Sequence, residues 1–293
     1  MGAYWLDGRL GSHYPPLDVV VAGAGLKVLT WEGWQHRSRS SGGFNGVYGL
    51  VVHHTASSTS WENDWSYCVN ASDGPVANML LGRDGTVGIH AAGASNHAGK
   101  GGGSSGGGGA PWYCSRGQVP PDSANSYAIG IEAQNDGVGE LWSPVMVDAY
   151  ERLVAALCTA YGLRIDTDVV AHREWTPNRK IDPWGGSSPT AGHPYTGPRQ
   201  WVMRGGGGFC DAVAARIAGG AGPNEEDNLI QYITPVSGGH PIGKSFARWP
   251  SGLLTWATNA DYALAQRLKI TDEKIEMGAD QYENLCAQAG TTR

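Results

Sequence analysis

The sequence predicts an α/β fold, a mixed central β-sheet flanked by helices, with a small C-terminal domain after it. Three observations predict this. Short apolar runs recur at 47–54, 127–134 and 168–172, each the length and composition of a buried strand. Between the last two, residues 144–161 repeat apolar side chains at helical spacing, so strand, helix and strand form a crossover unit that favours parallel pairing. Past residue 218 the chain enters GGAGP (219–223) and then continues to residue 293, so this Gly/Pro stretch reads as a linker.

The elements follow in order. Residues 1–27 read as an irregular lead-in. Segment 47–54 (VYGLVVHH) is a strand that ends in two histidines. Segments 77–82 and 86–90 flank Asp84-Gly85, a dipeptide suited to a hairpin turn. Residues 100–124 are read as loop, because a tract of Gly and Ser followed by scattered Pro lacks any period; its first part, 100–110, is expected to be mobile and to lie at the rim of a cleft. Segment 127–134 (YAIGIEAQ) is the next strand. A helix runs from about Pro144 to Tyr161: Ser143 caps it, Pro144 takes its first position and Gly162 stops it. Its buried stripe is Met146, Tyr150, Leu153, Val154, Leu157 and Tyr161. Strand 168–172 follows, and a last helix spans about 209–218.

Composition narrows the function. The chain carries a formal charge of −6, and no Lys/Arg cluster marks a nucleic-acid surface. No run of eighteen apolar residues marks a membrane span. The opening residues lack the basic and apolar regions of a Sec signal, which is read as synthesis in a cytoplasm with release by another route. Cys68, Cys114, Cys158, Cys210 and Cys286 contain no CxxC pair, so a cysteine zinc knot is not expected. Cys158 and Cys210 read as small core residues, and pairing of Cys68 with Cys114 stays open.

The chemistry gathers at strand ends, where ligands collect in open α/β sheets. His53 and His54 end one strand and His172 ends another. Lys180 and Asp182 follow His172 in one loop, and Glu132 sits inside the apolar strand IGIE. Each piece alone is weak: an HH pair is commonly structural, and a lone Lys is usually a solvated charge. Glu132 is more telling, because a carboxylate in an apolar strand is costly without a partner. Two imidazoles and one carboxylate would leave a zinc position open, the pattern of a catalytic site.

Taken in order, LVVHHTA, the RDGTV hairpin, NHAG, IGIEAQN and AHREWTPNRKIDP resemble the type 2 N-acetylmuramoyl-L-alanine amidases, over about residues 45–218. The Gly-rich insertion and the opening HYPPLDVVVAGAGLKVLTWEGW are most similar to endolysins of phages infecting actinobacteria. The resemblance implies one zinc ion per chain held by His53, His172 and Asp182, with His54 left out. It implies Glu132 as general acid–base and Lys180 as the stabiliser of an oxyanion. It suggests His97 as a substrate-binding residue, although Asn96 stands where many members have Trp. The implied activity is hydrolysis of the amide between N-acetylmuramic acid and L-alanine in bacterial peptidoglycan. The alternatives are a recognition module without catalysis, a recycling amidase acting on soluble fragments, and a virion-borne wall-piercing amidase.

The expected organisation is a catalytic domain over 1–220 (core 45–218) and a small domain over 226–293. The latter carries Tyr232, Phe246, Trp249, Trp256, Tyr262 and Tyr282, a dense aromatic set read as wall targeting; a private core or a dimer contact is the competing reading. Segments 259–269 and 272–288 are expected to be helices, with Asn259 and Thr271 as caps. The expected partner is bacterial peptidoglycan, with no nucleic acid and no membrane insertion. A monomer is expected, held in the host cytoplasm until a holin releases it to the wall.

Overall fold

A computed structural model describes residues 4–8, 14–183, 202–205 and 207–219, together with the backbones of five strands between 230 and 277. The chain divides into two units, whose main parts are residues 26–220 and 221–293.

The first unit opens with helix α1 (Leu17–Gly23), where the sequence reading expected irregular chain. Strand β1 (Val28–Thr30) follows, then β2 (Gly49–Val52) and helix α2 (Trp61–Asn70). Strands β3 (Met79–Leu81) and β4 (Val87–Ile89) pair antiparallel across the Asp84-Gly85 turn. That turn is longer than a two-residue hairpin: Gly82 N–H donates to Thr86 O at 2.8 Å, Asp84 Oδ1 accepts from Thr86 N at 2.9 Å, and Gly85 takes a φ of 83°.

Residues read as structureless loop also form a small hairpin, β5 (Trp112–Cys114) with β6 (Gly117–Val119). Trp112, Cys114 and Val119 pack with Val51, Val170 and Trp175 in one buried cluster. Three-residue strands show too little alternation to be told from loop in sequence, and burial of every second side chain decides the structure here.

Strand β7 (Ala128–Ala133) and helix α3 (Pro144–Tyr161) match the sequence reading. Ser143 Oγ accepts from Met146 N at 3.2 Å, and Gly162 closes the helix in the left-handed conformation. The expected stripe is buried: Tyr150, Leu153, Val154 and Leu157 are fully so. Each such side chain contributes roughly 1.5–3 kcal/mol of transfer free energy. After β8 (Val169–Ala171) come the short helix α4 (His172–Trp175) and, beyond residue 201, α5 (Phe209–Gly219). Helix α5 packs along α3, where Arg216 reaches Glu151 at 2.7 Å and Asp148 at 2.8 Å.

The six-stranded sheet runs β1-β4-β3-β7-β2-β8. Strands β3, β7, β2 and β8 are mutually parallel, and β4 is antiparallel to β3. The expected mixed sheet with flanking helices is therefore the one observed. Its geometry puts the residues following β2, β7 and β8 at one edge: His53, Gln134 and His172.

In the second unit the described residues form a sheet of β9 (Ile230–Ser237), β10 (His240–Pro241), β11 (Phe246–Arg248), β12 (Leu254–Trp256) and β13 (Asp272–Met277). Strand β13 pairs parallel with β9, Asp272 opposite Ile230 through Met277 opposite Pro235. The helix expected over 272–288 is thus corrected at its start. Glu273, Ile275 and Met277 alternate with Asp272, Lys274 and Glu276, a period of two that fits a paired strand. The helix expected over 259–269 lies outside the described residues.

A candidate metal centre at the strand ends

His53 follows β2 directly and is fully buried. Its backbone N–H donates to Ile131 O at 3.0 Å, continuing the ladder with β7. His172 opens α4 as soon as β8 ends. Glu174 Oε2 reaches back to accept from Ala171 N at 2.8 Å, which fixes the strand-to-helix corner. The chain then turns through Thr176, whose carbonyl accepts from both Arg179 N and Lys180 N, and Arg173 N donates to Asp182 O at 2.9 Å. This folded loop returns Asp182 to His172.

Three side-chain atoms converge. His53 Nδ1 lies 2.9 Å from His172 Nδ1 and 3.1 Å from Asp182 Oδ2, and His172 Nδ1 lies 2.9 Å from Asp182 Oδ2. All three residues are buried, and together they are able to hold a metal ion. The donor set fits one. His172 Nε2 is 3.0 Å from Ala98 O; a carbonyl only accepts, so Nε2 carries a proton and Nδ1 is the nitrogen left to face the centre. An ionised carboxylate is likewise only an acceptor. Acceptors packed this closely repel one another unless a cation lies among them, and two His with one carboxylate suit zinc.

The electrostatics agree. Burial, with the neighbouring His172, lowers the His53 pKa to about 4, so its ring is neutral at pH 7.

Glu132, from β7, stands beside the three. Its Oε1 is 3.9 Å from His53 Nδ1, and its Oε2 is buried without a hydrogen-bond partner among the described residues. Burial first, and Asp182 second, raise its pKa well above the ordinary value, while the charge of Lys180 opposes them. Lys180 is exposed in the loop between His172 and Asp182, and its charge reaches both Glu132 and His53. His54 points elsewhere and packs against the 137 turn, where a Cβ on Gly137 would meet its ring at 2.5 Å.

His97, suggested as a substrate-binding residue, is a buried side chain. It lies behind His53, with Nδ1 3.0 Å from His53 Nε2 and Nε2 3.0 Å from Ala128 O. Both ring nitrogens are engaged inside the protein. The space that admits the ring lies in β7 and is not visible in the NHAG motif.

Sequence reasoning missed two supports. Tyr150, counted only as part of the buried stripe of α3, lies with its hydroxyl 3.1 Å from His53 N and 3.2 Å from His53 O. A tyrosine in an otherwise apolar stripe is the available signal, since a buried phenol needs a polar partner. Asn125 Oδ1 accepts from His97 N at 3.0 Å and Ala98 N at 2.7 Å, and so holds the segment that backs both histidines.

The Gly-rich insertion, expected to be mobile, makes hydrogen bonds to the body of the fold. Gly102 N donates to Trp175 O at 2.9 Å, Gly101 N to Asp122 Oδ1 at 2.9 Å, and Thr176 Oγ1 to Gly107 O at 3.0 Å. Gly102 adopts a φ of +65°, and a Cβ there would lie 2.2 Å from the Trp175 ring. Glycine is used here for close approach to α4.

Residues 44–185 match the family model described as N-acetylmuramoyl-L-alanine amidase. Comparison with curated proteins gives no match. Among solved structures, AmpDH3 from Pseudomonas aeruginosa is similar at 20% identity and a TM-score of 0.38, over 53% of this chain and 61% of that one. The endolysine N-acetylmuramoyl-L-alanine amidase LysCS from Clostridium intestinale URNW is similar at 17% identity and a TM-score of 0.34, over 54% and 86%. Drosophila PGRP-LB is similar at 18% identity and a TM-score of 0.35, over 54% and 88%. Residues 44–185, just under half of the chain, are thus similar to the N-acetylmuramoyl-L-alanine amidases.

Proposed function

We propose that this protein is a zinc hydrolase that cleaves the amide between N-acetylmuramic acid and L-alanine in bacterial peptidoglycan. The observation that carries the reading is the convergence of His53, His172 and Asp182, with Glu132 beside them, whose Oε2 has no hydrogen-bond partner among the described residues. Zinc held by those three residues supplies Lewis acidity, which activates water near neutral pH and polarises an amide carbonyl. Glu132 takes the proton of the attacking water and delivers it to the departing amine; a carboxyl whose pKa is raised is suited to both halves of that exchange. Lys180 places an ammonium where negative charge develops on the carbonyl oxygen. The products are a free lactyl carboxylate on the sugar and a free alanine amine.

A recognition module without catalysis is the second reading. The complete ligand set and the presence of Glu132 and Lys180 favour the enzyme. The setting we propose is host lysis by a phage endolysin, in which residues 226–293 bind the wall; this rests on the motif resemblance and on the aromatic content of that segment. Chelation of the metal should stop solubilisation of purified cell walls, and added zinc should restore it. Undiminished lysis in excess chelator would overturn the zinc-hydrolase reading.

A further inference from the structure

His53 and His172 present the same ring atom, Nδ1, to the centre, but the structure secures the two rings differently. His172 donates its Nε2 proton straight to the carbonyl of Ala98, 3.0 Å away. The Nε2 of His53 meets the imidazole of His97 at 3.0 Å instead. An imidazole, unlike a carbonyl, can either donate or accept, so this contact alone leaves the tautomer of His53 open.

The far side of His97 resolves it. Its Nε2 lies 3.0 Å from Ala128 O, which can only accept, so that nitrogen carries the proton. The ring is buried, and among the described residues its two nitrogens are partnered by the Ala128 carbonyl and the His53 ring, neither of them an anion. With its Nε2 proton committed to Ala128, His97 has Nδ1 to offer His53, and in a ring holding a single proton that nitrogen is an acceptor. It follows that His53 donates from Nε2 and keeps the lone pair on Nδ1, toward His172 and Asp182.

The surroundings are shaped for this chain of bonds. The His97 ring lies over Gly130 in β7, where a Cβ would come 2.5 Å from its Cγ. Asn125 fixes the backbone of His97 and Ala98 together, and so sets the acceptors behind both ligand histidines.

We propose that His97 is a positioning residue: by relaying the acceptor character of the Ala128 carbonyl to His53 Nε2, it fixes His53 in the tautomer that offers Nδ1 to the metal. This rests on the reading that His53, His172 and Asp182 hold a metal. Outer partners of this kind typically change metal affinity by about 10- to 100-fold.

The test uses the full chain and zinc alone. Imidazole nitrogen NMR should show His53 and His97 both protonated at Nε2; a proton on His53 Nδ1, or zinc on His53 Nε2, overturns the proposal. His97→Phe keeps a ring over Gly130 but has no acceptor, and competition with a chelator should show about 10- to 100-fold weaker zinc binding. His97→Gln, which can accept and donate at once, should recover most of that loss. Unchanged affinity in a folded His97→Phe variant, or no recovery with Gln, overturns the relay. If His97→Phe does not fold, the tautomers of the unaltered protein decide. A protein that takes up no zinc sinks the metal reading itself, and its metal-free tautomers still test the relay.

Discussion

Glu132 and Lys180 flank the three converging residues without belonging to them, and this separates their chemistry from metal binding in an experiment. Glu132→Gln removes the proton carrier, and Lys180→Ala removes the ammonium. Each variant should keep its metal and its fold, and each should lose roughly a hundred-fold or more in turnover. Metal analysis and the rate on purified walls check this; a near-normal rate in either variant refutes the role given to that residue. At this scale much was legible in the sequence. His53, His172, Asp182 and Glu132 could be read from strand ends and motif order, because parallel strands bring their ends to one edge. The place of His97 was not legible, since the space for its ring is made by the absent side chain of Gly130, in a motif 33 residues further along the chain.

Helix α3 shows which elements a sequence declares. Ser143, Pro144 and Gly162 are local signals with local causes, and the structure places both helix ends as read. The hairpin β5–β6 shows the opposite. Its strands are too short to carry a period, and they form because Trp112, Cys114 and Val119 find a buried cluster made by distant residues. The Gly-rich insertion belongs with it. Composition argued for a mobile loop, but composition does not show that glycines allow a backbone to lie against Trp175. Hydrogen exchange should therefore find the amides of Gly101, Gly102 and Gly108 protected, since each donates a bond inside the fold. Exchange at the rate of an open chain across 101–109 would show that these bonds do not hold.

The molecule as a whole carries buried neutral imidazoles, and they make its metal-free stability depend on pH. Burial lowers His53 and His90 from 6.5 to about 4, and it lowers His97 well below 6.5. Between these values the unfolded chain binds more protons than the folded one, so stability is full above about pH 6.5 and falls as the pH drops toward 4. The depression is worth on the order of 3 kcal/mol for each of His53 and His90. Glu132 acts in the opposite sense, one carboxyl against three imidazoles. The melting temperature of the chelated protein should fall between pH 7 and pH 5; a flat profile would mean that these rings are not held neutral. A different expectation concerns the division of labour. A chain ending at residue 222 should keep its metal and cleave soluble muropeptide while binding walls poorly. Sedimentation with purified walls equal to that of the full chain would remove the targeting role of 226–293 and leave packing or dimer formation as its account. The aromatic content of that segment was legible in the sequence; its strand pairing was not, because β13 depends on β9, about forty residues earlier.

The central claim is the identity of the bond cut, and mass spectrometry of a wall digest tests it most directly. Purified peptidoglycan treated with the zinc-loaded protein should yield intact glycan strands bearing free lactyl carboxylates, together with stem peptides that begin at a free L-alanine amine. Peptides cut within the stem or cross-bridge, glycan fragments with new reducing ends, or an undigested wall would contradict it.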